Sequence, residues 1–194
     1  MSATPLSRST DDDQVAAMLA RRGYVVRRGL IPAPSIEAAL RTLHLALVRK
    51  GVAAETVGEW LKRADWFPYR KWHPAITDLA AELPAALREG QMCDPQIVLH
   101  PPDDCGELPL TPHLDREPEW AAGRRYLRIV GVALSPAHRG NGALHVWPYD
   151  GSEPEPVELE PGDVVVMEPT LPHTSGLNRS GHIRYAVYFR FLGG

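Results

Sequence analysis

Cysteine is scarce in this chain. Cys93 and Cys105 are too few for a disulfide framework, and their spacing is neither that of a zinc pair nor that of a CxxC redox pair, so they read as reduced thiols. No apolar run approaches the length of a membrane span, and Met1 to Thr10 lacks the charged start and apolar stretch of a secretory leader. The sequence therefore predicts a cytoplasmic protein with no membrane partner. Charge of one sign is missing as well: the formal net charge is −3, which gives no field to recruit nucleic acid. There is no G-x-x-x-x-G-K-[ST] phosphate loop and no G-x-S-x-G elbow. Gly140-Asn141-Gly142 precedes an apolar strand rather than a helix. Nucleotide hydrolysis and nicotinamide chemistry are set aside on these grounds.

What is present is an ordinary globular composition, 44% apolar and 23% charged, over 194 residues, enough for one domain with a real core. Residues 1–10 carry no periodicity and read as a flexible N-terminus, with a single domain over 11–194. Asp11-Asp12-Asp13 starts a helix that Arg21, Arg22 and Gly23 close. Tyr24 to Arg28 follows as a short strand. Ile36, Leu40, Leu43 and Leu47 make one apolar stripe of a second helix between Pro34 and Gly51. Glu55 to Ala64 suggests a third helix, and Ile76 to Arg88 a fourth, interrupted near Pro84. From Gln96 onward the period changes to two. Strands are expected over Gln96–His100, Tyr126–Leu134, Gly142–Trp147, Pro156–Glu160, Asp163–Glu168, around His173 and over Ile183–Phe191. With Tyr24–Arg28 these make about eight, the number a double-sheet jelly roll requires. The expected fold is mainly β, a double-stranded β-helix (jelly-roll, cupin-like) barrel with flanking helices.

Two short pieces carry chemistry. In an extended His113-Leu114-Asp115 the first and third side chains point the same way and can hold one metal ion from two corners. The third ligand must come from elsewhere, and His173, opening a Ser/Gly/Asn turn, is the candidate. Two imidazoles and a carboxylate on one face of an octahedron, with the other positions open, is the donor set of non-haem Fe(II) oxygenases. Arg184 lies eleven residues past His173 inside the apolar run Ile183 to Phe189. A buried, unpaired charge is very costly, so an Arg there calls for an anion, and a carboxylate matches its fork. Ile183, Tyr185, Val187, Phe189 and Phe191 share one face of that strand. Arg184, Ala186 and Tyr188 share the other, so if Arg184 points inward the latter two line the same pocket or fill the core.

The order His113-x-Asp115, Asn141-Gly142-Ala143-Leu144, Leu159-Glu160-Pro161-Gly162-Asp163-Val164-Val165-Val166, His173-Thr174-Ser175-Gly176-Leu177-Asn178, then Arg184 resembles the phytanoyl-CoA dioxygenase family of Fe(II)- and 2-oxoglutarate-dependent oxygenases, from roughly residue 14 to 192. The resemblance implies His113, Asp115 and His173 as iron ligands, Arg184 as the partner of the distal 2-oxoglutarate carboxylate, and Ser175 as its support. It further implies O2 as co-substrate, release of succinate and CO2, and hydroxylation of an unactivated C–H bond; 194 residues leave little room for a domain that would grip a macromolecule, so a small-molecule, biosynthetic substrate is expected. A carboxylate at Asp115 favours hydroxylation over halogenation, because related halogenases leave that position open with a small residue. Desaturation, epimerisation, ring closure, and hydroxylation of a free or carrier-linked amino acid use the same oxidant. Where the family often continues to Pro-Gly-Ser-His, this chain has Trp147-Pro148-Tyr149-Asp150-Gly151-Ser152, so the substrate is not carried over.

Other residues compete for these roles. His100 and His182 are rival metal ligands outside any matching motif, and His145 alternates within a strand that has one pocket-facing side. His44, His73 and His138 read as surface, core filling or loop. Arg116, Arg124, Arg125, Arg128 and Arg179 read as solvated, with Arg179 the rival clamp. Glu117, Glu119 and Trp120 follow the metal motif where substrate-facing loops are expected. A non-catalytic cupin-like binding protein and a structural zinc site are the readings from other classes; a zinc site would want a closed set of four ligands richer in thiolate.

Overall fold

The structure, a computed structural model, describes residues 10–49, 72–93, 95–102, 111–115 and 123–193. The flexible start expected over 1–10 falls almost wholly outside them, as do the third helix at 55–64, Cys105, Arg116, Glu117, Glu119 and Trp120. Helix α1, Thr10–Arg22, ends at Gly23, whose φ of 79° is readily adopted only by glycine and whose N–H caps Leu19. A side chain at Gly23 would also collide with Leu171. Strand β1 is Tyr24–Arg27 and helix α2 is Ala33–Arg49, which buries Ile36, Ala39, Leu43, Ala46 and Leu47 on the stripe the sequence predicts. Helix α3, Pro74–Ala81, begins two residues before the expected Ile76. Pro74 sits where the backbone needs no N–H, and His73 accepts a hydrogen bond from Ala75 N through Nδ1. Pro84 then limits the chain to one 3-10 turn, Ala85–Leu87.

The remaining strands are β2 Gln91–Met92, β3 Gln96–His100, β4 Arg125–Ala133, β5 Leu144–Val146, β6 Glu155–Val157, β7 Val164–Met167, β8 His173–Ser175 and β9 Arg184–Gly193. All pairings among them are antiparallel. The larger sheet runs β1-β7-β4-β9-β2, with β3 sharing the long β9 as its partner, and the smaller runs β6-β5-β8. The two-sheet jelly roll expected from the sequence is present, with one two-residue strand, β2, that the pattern does not show.

The larger sheet is apolar on both faces because it lies between two layers. Val130, Val132, Val164, Val166, Val187 and Phe189 pack on Leu43, Ile76 and Leu79 of the helices. Their neighbours in the period of two, Ile129, Ala133, Val165, Met167, Ala186 and Tyr188, pack on Leu144, Val146, Val157 and Leu159 of the smaller sheet. The second of these interiors holds the site. Among the described residues no helix is long and apolar enough to cross a membrane.

Candidate metal and co-substrate site

Backbone pairing builds the donor set. His113 and His173 exchange two hydrogen bonds, N to O at 2.9 Å and N to O at 3.1 Å, so the His113 segment forms an antiparallel bridge to β8. Residues directly opposite in such a pair project to one side, and the two imidazoles lie with centroids 4.7 Å apart. Asp115, two residues on in the extended segment, falls on that side as well. One donor atom from each of His113, Asp115 and His173 lies within 4.8 Å of the others. On its other edge β8 pairs with β5, with Leu144 opposite Ser175 and Val146 opposite His173.

The electrostatics suit a cation. His173 Nδ1 lies 2.9 Å from Leu171 O, and a carbonyl can only accept, so Nδ1 carries the proton and Nε2 presents its lone pair to the site. Burial pushes the His173 imidazole below its ordinary value, against the opposing pull of that hydrogen bond and of Asp115. At neutral pH the ring is thus in the form a metal ligand needs. Asp115 supplies the negative charge, with Oδ1 3.8 Å from His173 Nε2. A cavity of about 80 Å³ opens on these groups, lined also by Gln96, Val98, Leu144, Ser175, Tyr188 and Arg190.

Arg184 opens β9 and is 4% exposed; its Nε is buried with no hydrogen-bond partner among the described residues. It lines a second, smaller cavity with Gly131, Ala133, Ala137, Leu144, Ala186 and Tyr188. The inward face read from the strand pattern is therefore the face the fold uses. Leu144 and Tyr188 line both cavities, and the smaller holds about 10 Å³, space for about one water. A carboxylate reaching Arg184 must come with movement of those two side chains. A buried arginine with an unpaired Nε near a two-imidazole, one-carboxylate set fits an iron ion and a dicarboxylate co-substrate. Ser175 lines the larger cavity, within reach of the same space.

Several rivals are placed elsewhere. His145 pairs with Thr174 on the outward face of β5 and hydrogen-bonds Ala143 O at 3.2 Å, away from the donor set. His100, opposite Arg184 in register, packs its ring where a side chain on Gly142 would stand. His182 and Arg179 are exposed. His138 faces Glu160 and Arg128 pairs with Glu168. His44 is exposed and meets Tyr185 edge-on at 5.2 Å.

Two residues were given no role from sequence. Arg190 donates to Asp115 through two nitrogens and to Gln96 through one. Continuing the β9 alternation two residues beyond Tyr188 would have found it. Asn178 is fully buried, and its amide donates to His100 O and His182 O, both at 2.8 Å. It ties the end of β3 to the approach to β9 and so steadies Arg184, a role no spacing reveals.

Residues 146–186 match the family model described as Phytanoyl-CoA dioxygenase (PhyH), a span holding His173, Ser175 and Arg184. A Caenorhabditis elegans protein named "Probable phytanoyl-CoA dioxygenase" is 28% identical over 152 residues, 62% of this chain and 48% of the relative. The chain thus spans about half the length of that relative. Among solved structures, AviO1 from Streptomyces viridochromogenes Tue57 superposes with a TM-score of 0.62 at 21% identity, over 96% of this chain and 97% of the other. The epimerase SnoN, solved with Fe3+, alpha ketoglutarate and nogalamycin RO, gives 0.61 at 19% identity, over 93% and 82%. At such identities these two likenesses carry the fold. At the level of sequence, the chain is similar to the phytanoyl-CoA dioxygenases over residues 146–186 and to this one named relative.

Proposed function

We propose that this protein is an Fe(II)- and 2-oxoglutarate-dependent oxygenase that hydroxylates an unactivated C–H bond of a small organic substrate. One observation carries the reading: three donor atoms of the right kinds lie within 4.8 Å of one another at a cavity whose neighbour holds a buried guanidinium with an orphaned Nε. His113, Asp115 and His173 would hold the iron. Arg184 would take the distal carboxylate of the co-substrate, with Ser175 as support. Bound there, iron with 2-oxoglutarate and O2 would supply oxidative decarboxylation to succinate and CO2, coupled to oxidation of the substrate.

The chain's own contribution is the geometry of the donors and the protonation state in which it holds them. His173 stays neutral because it is buried, and its ring is fixed in one tautomer by Leu171 O. Val98, Leu144 and Tyr188 supply the apolar part of a cavity wall that is otherwise polar. Asp115 occupies the ligand position that a halide would need, which favours hydroxylation over halogenation. Epimerisation is the second reading, since SnoN shares this architecture.

The test is anaerobic. Fe(II) and then 2-oxoglutarate are added to metal-free protein, and the visible charge-transfer band of the chelate is followed. Wild type should show the band, and Asp115→Ala and Arg184→Ala should weaken it. Absence of the band from folded, Fe(II)-loaded wild type would overturn the reading.

A further inference from the structure

We infer that Arg190 is a positioning residue that makes Asp115 a one-oxygen metal ligand, an inference that rests on the iron-site reading above. The two carboxylate oxygens have different surroundings. Arg190 Nε and one terminal nitrogen both donate to Oδ2, at 2.9 and 2.6 Å. Oδ1 instead lies on the side of His173 Nε2, at 3.8 Å. In the usual arginine–carboxylate fork the two nitrogens take one oxygen each. Here both converge on one oxygen and leave the other free.

Arg190 is itself held. Its terminal nitrogen donates to Gln96 Oε1 at 2.5 Å, and both residues stand on paired strands of the larger sheet, β9 and β3. Each side chain of the Arg190–Asp115 pair is 14% exposed, so the interaction is shielded from solvent. Asp115, by contrast, follows a single isolated bridge at His113, and a carboxylate there needs an outside support to keep one rotation.

The reason for that support is a count of positions. Three protein donors on one face of an octahedral ion leave three open positions. 2-Oxoglutarate chelating through its keto acid end would take two, and the third would have to stay open for the other co-substrate. A carboxylate that swung round to bind through both oxygens would consume it. Arg190 prevents the swing by occupying Oδ2. Its charge alone would act otherwise: a cation beside a metal site repels the metal, so simple removal of charge should tighten metal binding and leave the ligation mode alone. Outer partners that orient ligands instead change what the ligand does.

The two are separable with Co(II) as the probe. Wild type, Arg190→Met, Arg190→Lys and Asp115→Ala are loaded with Co(II), and the carboxylate stretches are read from infrared difference spectra against the metal-free proteins. Wild type should show the wide separation of one-oxygen ligation, Arg190→Met the narrow separation of two-oxygen ligation, and Arg190→Lys a return toward wild type; Asp115→Ala identifies the bands. In the Fe(II) form, Arg190→Met should need at least about tenfold more 2-oxoglutarate for half of its charge-transfer band, in line with the cost of losing such a partner. If Arg190→Met does not fold, Gln96→Leu, which frees the guanidinium, should show part of the same narrowing. Wild-type stretches in a folded Arg190→Met would overturn the inference. Wild type that binds Co(II) but gives no band with Fe(II) and 2-oxoglutarate overturns the oxygenase reading, and the infrared comparison still decides the role of Arg190. Wild type that binds no Co(II) overturns both.

Discussion

Arg184 places a full charge where the fold offers it little. It is 4% exposed, its Nε lacks a hydrogen bond among the described residues, and the cavity beside it is lined mostly by apolar residues, Ala133, Ala137, Leu144 and Ala186 among them. An uncompensated buried charge costs stability, so function and stability pull apart at this position. Arg184→Met is expected to unfold at the same temperature as wild type or higher. Removing one partner of a buried charge pair costs about 2–5 kcal/mol, so the same variant should lose roughly 30-fold or more in 2-oxoglutarate affinity. Co(II) binding should stay unchanged, because Arg184 is not among the clustered donors. Thermal unfolding, a charge-transfer titration and a Co(II) titration check the three parts. A marked fall in melting temperature would mean that Arg184 is a structural residue.

At the scale of elements the site depends on a gap in β4. Gly131 lies opposite Tyr188 on one side and Val165 on the other, and a Cβ there would stand 2.6 Å from the Tyr188 ring and 2.9 Å from Val165. The missing side chain is what lets Tyr188 lie between the two cavities. Gly131→Ala should therefore destabilise by about 1–3 kcal/mol, as overpacking does, read by urea denaturation, and should weaken 2-oxoglutarate binding by displacing the ring. A neutral effect on both would show that the ring gives way freely. The same register explains what could be read beforehand. Alternation along β9 separates Arg184, Ala186 and Tyr188 from Tyr185, Val187 and Phe189, because a strand between two layers keeps its period whatever packs on it. The apolar stripe of α2 was equally plain. Alternation does not say which face is inner, and that is why His145 could be placed on neither side until its pairing with Thr174 fixed it outward. Two-residue β2 has no period to detect. Asn178 acts through bonds to carbonyls far along the chain, which no local pattern encodes.

Over the whole molecule, the candidate site draws on both sheets. His173 comes from β8 of the smaller sheet, His113 and Asp115 from the segment bridged to it, and Arg184 and Arg190 from β9 of the larger. His173 lies far along the chain from His113 and Asp115, so the full donor set exists only in the folded form, and the binding free energy of a metal there would add to stability. At a metal concentration about 100 times Kd the gain is about 2.7 kcal/mol. For a domain of this size each kcal/mol raises Tm by about 2–4 °C, so saturating Co(II) or anaerobic Fe(II) should raise Tm by about 5–11 °C. Asp115→Ala should show little of that rise, since two imidazoles remain but the charge is gone. 2-Oxoglutarate added to the metal form should raise Tm further in wild type and not in Arg184→Met, because Arg184 reports the second sheet's share of the same complex. A metal-induced rise that Asp115→Ala keeps in full would place the ion elsewhere on the molecule.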